Sequence, residues 1–248
     1  MYSINAFDNI FVVNLIIDIT FFMKRANHPD GLEPDRLHIF GVFHMRRDGT
    51  FVDHISEMLH TDAPVVLDFV GRDLQSRTRY YVYPIIDHVI RRESMGGGLS
   101  LSSRNDSCPL YVVQERDEYS IGLPLMFLPV NNSSDGVIRE SSDLNIVFLW
   151  DTSCQNSTTV WSLGTFDEIT RWQYIVTGGV IGNPGPSTVN NWFKIERYLE
   201  DYKLVFCPEV CCSCKVTCGD VGVFYEDRTQ WLGLSDVPLP VMFEKPLT

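Results

Sequence analysis

Basic residues are scarce in this chain: 20 lysines and arginines stand against 32 aspartates and glutamates, for a formal charge of -12. A nucleic-acid partner needs clustered lysine and arginine, so that class is excluded. Long apolar runs are also missing. The most apolar stretch, Ile10 to Met23 (IFVVNLIIDITFFM), is broken by Asn14 and Asp18 and is too short for a membrane span. No phosphate-cradling glycine loop, zinc-protease helix or hydrolase nucleophile elbow occurs. Histidine is nearly confined to one end, with His28, His38, His44, His54 and His60 before residue 61 and His88 alone beyond it. The pairs His38/His44 and His54/His60 are out of step with the i, i+4 spacing of a helical ligand pair, so neither a metal nor a cofactor is expected. Asp167 and Glu168, like Glu200 and Asp201, read as solvated turn residues, which leaves no acid and base pair and argues against an enzyme. Helical periodicity is almost absent.

Cysteine, by contrast, is concentrated. Five of the seven cysteines fall between Cys207 and Cys218, inside the stretch YKLVFCPEVCCSCKVTCGDVGVFYED (Tyr202 to Asp227). The runs Tyr202 to Phe206 and Val221 to Tyr225 alternate large apolar with small or polar residues, which predicts two strands joined by a cysteine-stapled loop. Cys207 and Cys218 flank that loop, and Cys211 and Cys214 nest inside it. Four thiolates there could in principle hold zinc, but the usual two-knuckle separation of ligand pairs is missing, so the spacing favours disulfides. Cys108 and Cys154 remain as a third bridge closing a long loop. Seven is odd, and Cys212 is left as the free thiol, able to link two copies as a dimer if the protein is not a monomer. Such cysteine usage implies an oxidising compartment, hence a secreted protein, extracellular or vacuolar.

Residues 1–62 are expected to form an N-terminal extension. Its apolar run makes a degenerate signal at best, with no basic leader, Asp8 upstream, and Lys24 and Arg25 where small residues should begin a cleavage site. The polar remainder is expected to be poorly ordered or loosely attached.

From residue 63 onward, strand-like runs fall into three sets of four. The first set is Tyr80 to Ile85, Gly97 to Ser102, Pro109 to Gln114 and Leu123 to Pro129. The second is Leu144 to Leu149, Thr159 to Gly164, Tyr174 to Gly179 and Trp192 to Arg197. The third is Tyr202 to Cys207, Val221 to Glu226, Trp231 to Ser235 and Pro240 to Lys245. Corresponding runs recur at about sixty residues, a repeat signal. Twelve short strands without helices predict an all-β closed architecture, and three-fold repetition selects a β-trefoil spanning residues 63–248. Gly96, Gly97 and Gly98 open a strand rather than a helix, so they are not a phosphate site. Trp161, Trp172, Trp192 and Trp231 are expected to pack in the core.

These residues carry a resemblance. YKLVFCPEVCCSCKVTCGDVG is similar to the signature of the plant Kunitz-type inhibitors of the soybean trypsin inhibitor family, most of all their miraculin-like branch. CPLYVVQE, GVIRESSDLNIVF, STTVWSL, GGVIGNPGP, NWFKIE and WLGLSDVPLPVMFEK support it, in the family's order, from about Pro64 to Lys245. The resemblance implies a β-trefoil and an endopeptidase inhibitor. It also implies that the loop from Val130 to Asp143 enters a serine or cysteine protease like a substrate.

The candidate loop residues are Asn131, Asn132, Ser133, Ser134, Asp135 and Arg139. Counting from the fourth strand puts the primary contact at Asn132, whereas counting back from the fifth puts it at Ser134. Neither is basic, so the buried carboxylate in a trypsin-type pocket would go unpaired and trypsin inhibition is not expected. Arg139 lies beyond the apex and reads as a surface arginine. An asparagine braces this loop in inhibitory relatives; here Ser76 stands at its place. Glycosylation sequons begin at Asn105, Asn131, Asn132 and Asn156, two of them overlapping at the loop apex. The alternative function is a non-inhibitory defence, storage or taste-modifying trefoil that recognises a ligand.

Overall fold

The computed structural model describes residues 4–7, 10–18, 38–45, 63–85, 96–131, 135–154 and 157–246. The chain divides into two compact units, Met1–Asp62 and Ala63–Thr248. In the first, β1 (Ile4–Phe7), β2 (Ile10–Asp18) and β3 (His38–Met45) form an antiparallel sheet in the order β1-β2-β3. The signal-like run thus supplies β2, where its valines and isoleucines suit an extended backbone.

Among the described residues the second unit contains twelve strands. They are β4 (Tyr81–Pro84), β5 (Leu99–Arg104), β6 (Ser107–Gln114), β7 (Leu125–Pro129), β8 (Leu144–Phe148) and β9 (Ser162–Phe166). There follow β10 (Gln173–Val176), β11 (Lys194–Tyr198), β12 (Asp201–Phe206), β13 (Gly219–Glu226), β14 (Thr229–Ser235) and β15 (Val241–Glu244). Among the described residues the helical content is one 3-10 segment, Pro186–Asn191. Each expected run matches a strand with shifted ends. Tyr174 to Gly179, for example, ends as a strand at Val176, and Gly178 turns the chain with a positive φ of 97°.

The first and last strands of each set of four close a ring. β15 pairs with β4 and with β12, β12 with β11, and β7 with β8, all antiparallel. Single bridges Tyr80↔Leu125 and Leu144↔Phe193 join the remaining neighbours. The result is a six-stranded barrel with no free edge. Its interior is aromatic: Phe127 meets Phe243 edge-on at 5.3 Å, and Phe193 meets both Trp161 at 5.8 Å and Phe206 at 5.6 Å. Trp161, Trp192 and Trp231 are buried as expected, while Trp172 is half-buried and stacks on Phe224 at 4.4 Å.

The middle strands of each set form three hairpins, β5–β6, β9–β10 and β13–β14. β6, β10 and β14 also pair with one another, as Val176↔Tyr111, Tyr174↔Gly233 and Gln230↔Gln114. That triangle caps one end of the barrel, which is the β-trefoil arrangement. Tyr111, Tyr174 and Trp231, one from each repeat, pack edge to face at 5.6 to 6.5 Å.

One charged knot ties the three hairpins together. Arg104, at the end of β5, donates to Asp167 at 2.7 Å and to both carboxylate oxygens of Glu226 at 2.9 and 3.0 Å. Its guanidinium also lies 4.7 Å from the centre of the Tyr174 ring. These residues sit at equivalent stations, because Arg104 and Glu226 each immediately precede a two-residue turn with positive φ, Asn105-Asp106 and Asp227-Arg228. Asp167 is therefore no solvated turn carboxylate. Its hydrogen bond from Arg104, then those from the Thr170 and Ile169 amides, lower its pKa to about 2. Burial works against the Arg104 charge, but the two carboxylates and Tyr174 outweigh it and raise its pKa.

Replacing Arg104 by methionine is expected to lower Tm by about 5 °C at neutral pH, the scale of a lost charge-assisted hydrogen bond in a domain of this size. The Asp167 part of that difference is complete above the ordinary carboxylate pKa near 4. It disappears as pH falls through about 2. Thermal melts of both proteins across this range should show the gap narrowing with acid. A gap that does not change with pH would detach it from Asp167.

Candidate functional site

The loop of residues 130–143 leaves β7 and returns into β8. The register Pro129↔Leu144 and the Val130 N–H bond to the Asp143 carbonyl at 2.8 Å close its base. Asn131 is exposed; Asn132, Ser133 and Ser134 lie outside the described residues.

The returning arm is held as a strand-like insertion between the two sides of the hairpin formed by residues 64–76. Ile138 donates to the Leu74 carbonyl at 2.8 Å and accepts from the Val66 amide at 3.0 Å. The Glu140 amide bonds the Pro64 carbonyl and the Ser141 amide the Ile195 carbonyl, both at 2.8 Å. Val66, Leu74 and Ile138 are all fully buried, so apolar burial and the backbone ladder act on the same three residues. Gly136 turns with φ +67°, and its carbonyl accepts the Ser76 N–H at 2.7 Å. Ser76 therefore reaches the loop through its main chain.

Arg139 differs from its reading as a surface arginine. Its side chain is 16% exposed and its Nη2 donates to Asp135 Oδ2 at 2.6 Å. Asp135 Oδ1 accepts the Val137 N–H at 3.0 Å, and the Arg139 carbonyl accepts the Ser142 hydroxyl at 2.7 Å. The cause is the bridge Val65↔Arg139, which puts the arginine backbone in the inserted strand and folds its side chain back toward Asp135. A signal for this pair was present in the sequence as the loop's single basic residue, four positions after Asp135.

The cysteine-stapled loop docks on the base of the same feature. Asp143 Oδ2 accepts the Glu209 N–H at 2.8 Å, and the Glu209 carboxylate pairs with Lys194 Nζ at 2.8 Å. The Lys194 side chain is only 5% exposed, so Glu209 is the counter-charge to a buried ammonium. Sequence reasoning missed Asp143, Glu209 and Lys194, because their meeting needs three segments distant in sequence to converge.

The cysteines pair as Cys108–Cys154, Cys207–Cys218 and Cys211–Cys214. Cys212 is free and exposed. Asn105 is exposed on the β5–β6 turn, whereas Asn156 and His88 lie outside the described residues. Among the described residues no cluster of histidine, cysteine or acid could hold a metal, and no helix is long and apolar enough to cross a membrane.

Comparison with known proteins places this geometry. The Kunitz legume family model, described as trypsin and protease inhibitor, matches residues 66–245. Kunitz trypsin inhibitor 5 of Arabidopsis thaliana is 42% identical over 196 residues, covering 79% of this chain and 92% of that protein. Miraculin of Synsepalum dulcificum is 45% identical over 189 residues, covering 73% and 82%. Among solved structures, a Kunitz-type cysteine protease inhibitor from potato superposes with a TM-score of 0.63 at 31% identity, over 75% of this chain and 99% of that one. A trefoil whose inter-strand loop is clamped on one arm, matched over that length by such relatives, belongs to the plant Kunitz-type protease inhibitor family, in its miraculin-like branch.

Proposed function

We propose that this protein is an endopeptidase inhibitor that offers the 130–143 loop to a serine or cysteine protease in a substrate-like manner. The observation that carries this reading is the anchoring of the loop. Its base is closed between Val130 and Asp143, and its returning arm is fixed from Gly136 to Ser141. A loop held in this way loses little entropy on entering a cleft, and its ends stay together if the chain is cut. The reactive residues are Asn131 to Asp135, with Ser76 bracing from the first turn. Trypsin is not the target, since Arg139 is turned into the Asp135 pair and is not available to a deep acidic pocket.

The protein acts by binding and has no catalytic residue, metal or cofactor of its own. Three disulfides fit an exported protein, extracellular or vacuolar, with residues 1–62 as a separate N-terminal extension. Glycans on Asn105 and near the loop apex are compatible with the exposure of Asn105 and Asn131. The trefoil is a monomer unless Cys212 links two copies, which gels with and without reductant distinguish.

Titration of the oxidatively folded protein against trypsin, chymotrypsin, subtilisin and papain, before and after removal of N-linked glycans, tests the reading. Stoichiometric inhibition of a non-trypsin enzyme is expected. Nanomolar inhibition of trypsin would contradict the specificity, and no inhibition in either form would favour a ligand-binding trefoil.

A further inference from the structure

We infer that Arg139 is a positioning residue that fixes Asp135 on the leaving side of the inhibitory loop. It thereby supplies through an ion pair the side-chain brace that Ser76 does not. This rests on the reading of residues 130–143 as the protease-facing loop.

The geometry favours Arg139 as the fixed partner of the pair. Its backbone is bridged to Val65, its carbonyl accepts the Ser142 hydroxyl, and its side chain is largely buried. Nε and Nη1 of its guanidinium are buried with no hydrogen-bond partner among the described residues, and the charge is directed through Nη2 to Asp135. Asp135 is the exposed partner, 43% accessible, and its second oxygen holds the Val137 amide. One carboxylate therefore joins the residue that follows Ser134 to the clamped arm at two points. Gly136, between them, has the left-handed backbone that lets the chain double back, and its carbonyl is held by the Ser76 amide.

Counting back from β8, the attacked bond joins residues 134 and 135. The protease serine or cysteine adds to the carbonyl of residue 134, the 134–135 C–N bond breaks, and the amine of Asp135 takes the proton carried by the protease histidine. Inhibition persists if that amine stays against the acyl carbonyl, returns its proton to the histidine and expels the nucleophile. Proximity of this kind is lost with small displacements. By holding Asp135, Arg139 favours religation over hydrolysis.

The test compares the parent with Arg139→Met, Arg139→Lys and Asp135→Asn in two readouts. One is the rate at which the inhibited protease cuts and releases the loop. The other, made without any protease, is hydrogen exchange at the Val137 and Ser76 amides. Arg139→Met and Asp135→Asn should each raise both rates by about tenfold, the factor for a lost charge-assisted hydrogen bond. Arg139→Lys, which keeps the charge, should stay within about threefold of the parent. If Arg139→Met does not fold, Asp135→Asn at the exposed partner carries the same test. Unchanged rates in Asp135→Asn, or a lysine variant as fast as the methionine variant, would overturn the inference. Faster exchange in these variants of a parent that inhibits no protease would leave the brace standing and remove the proposed function.

Discussion

Replacing Ser134 by arginine is expected to create a trypsin inhibitor, with a gain in affinity of about 10,000-fold over the parent, the scale of discrimination by a site with an unmet buried polar group. The trypsin pocket ends in a carboxylate that a serine leaves unpaired and an arginine satisfies bidentately. The scaffold need not adjust to the change, because the clamp begins at Gly136 and runs to Ser141. The same substitution removes the sequon at Asn132 and leaves the one at Asn131, so the measurement belongs on glycan-free protein. Asn132→Arg is the comparison, since counting from β7 points there. A gain at position 132 and none at position 134 would place the primary contact nearer to β7 and weaken the role assigned to Asp135.

Removal of the Cys108–Cys154 bridge, as Cys108→Ala with Cys154→Ala, is expected to cost the most stability of any single bridge. Its sequence separation is 46, against 11 for Cys207–Cys218 and 3 for Cys211–Cys214. In the chain-entropy account the longest loop corresponds to about 4 kcal/mol and the middle one to about 3 kcal/mol. For a domain of this size the first figure lowers Tm by about 12 °C. Inhibition should follow a different order. Cys207–Cys218 closes the loop that carries Glu209, whose amide holds Asp143 at the base of the 130–143 loop. Its loss should weaken inhibition at 25 °C more than the loss of Cys108–Cys154, although it lowers Tm less. Tm and inhibition falling in the same order across the two variants would show that Glu209 does not support the loop.

The fold was legible in the sequence because its signals are local and repeated. Alternation in LNIVFL or YKLVFC marks a strand without reference to the rest of the chain, and recurrence at about sixty residues marks the three-fold repeat. Gly96 to Gly98 were legible as the opening of a strand, and the structure adds the reason for one: a Cβ on Gly97 would collide with the carbonyl oxygens of Asp117 and Ser120. What the sequence could not reveal is where distant charges meet. Asp167 looks like one of two neighbouring acids in a turn until three hairpins bring it to Arg104. Lys194 looks like a strand-surface lysine until Glu209 covers it. Arg139 is the instructive case at the site, since its spacing from Asp135 was visible but its burial depends on residues 64–76 closing over the returning arm.

The 130–143 loop is proposed to occupy the active-site cleft of its target. The most direct measurement compares binding of this protein to a protease it inhibits with binding to the same enzyme whose nucleophile carries a small covalent blocking group. This placement predicts one-to-one binding to the free enzyme and at least a 100-fold loss for the blocked one, about 2.7 kcal/mol. Equal affinity for the two forms would contradict it, because the contact would then lie outside the cleft and the loop would not be its agent.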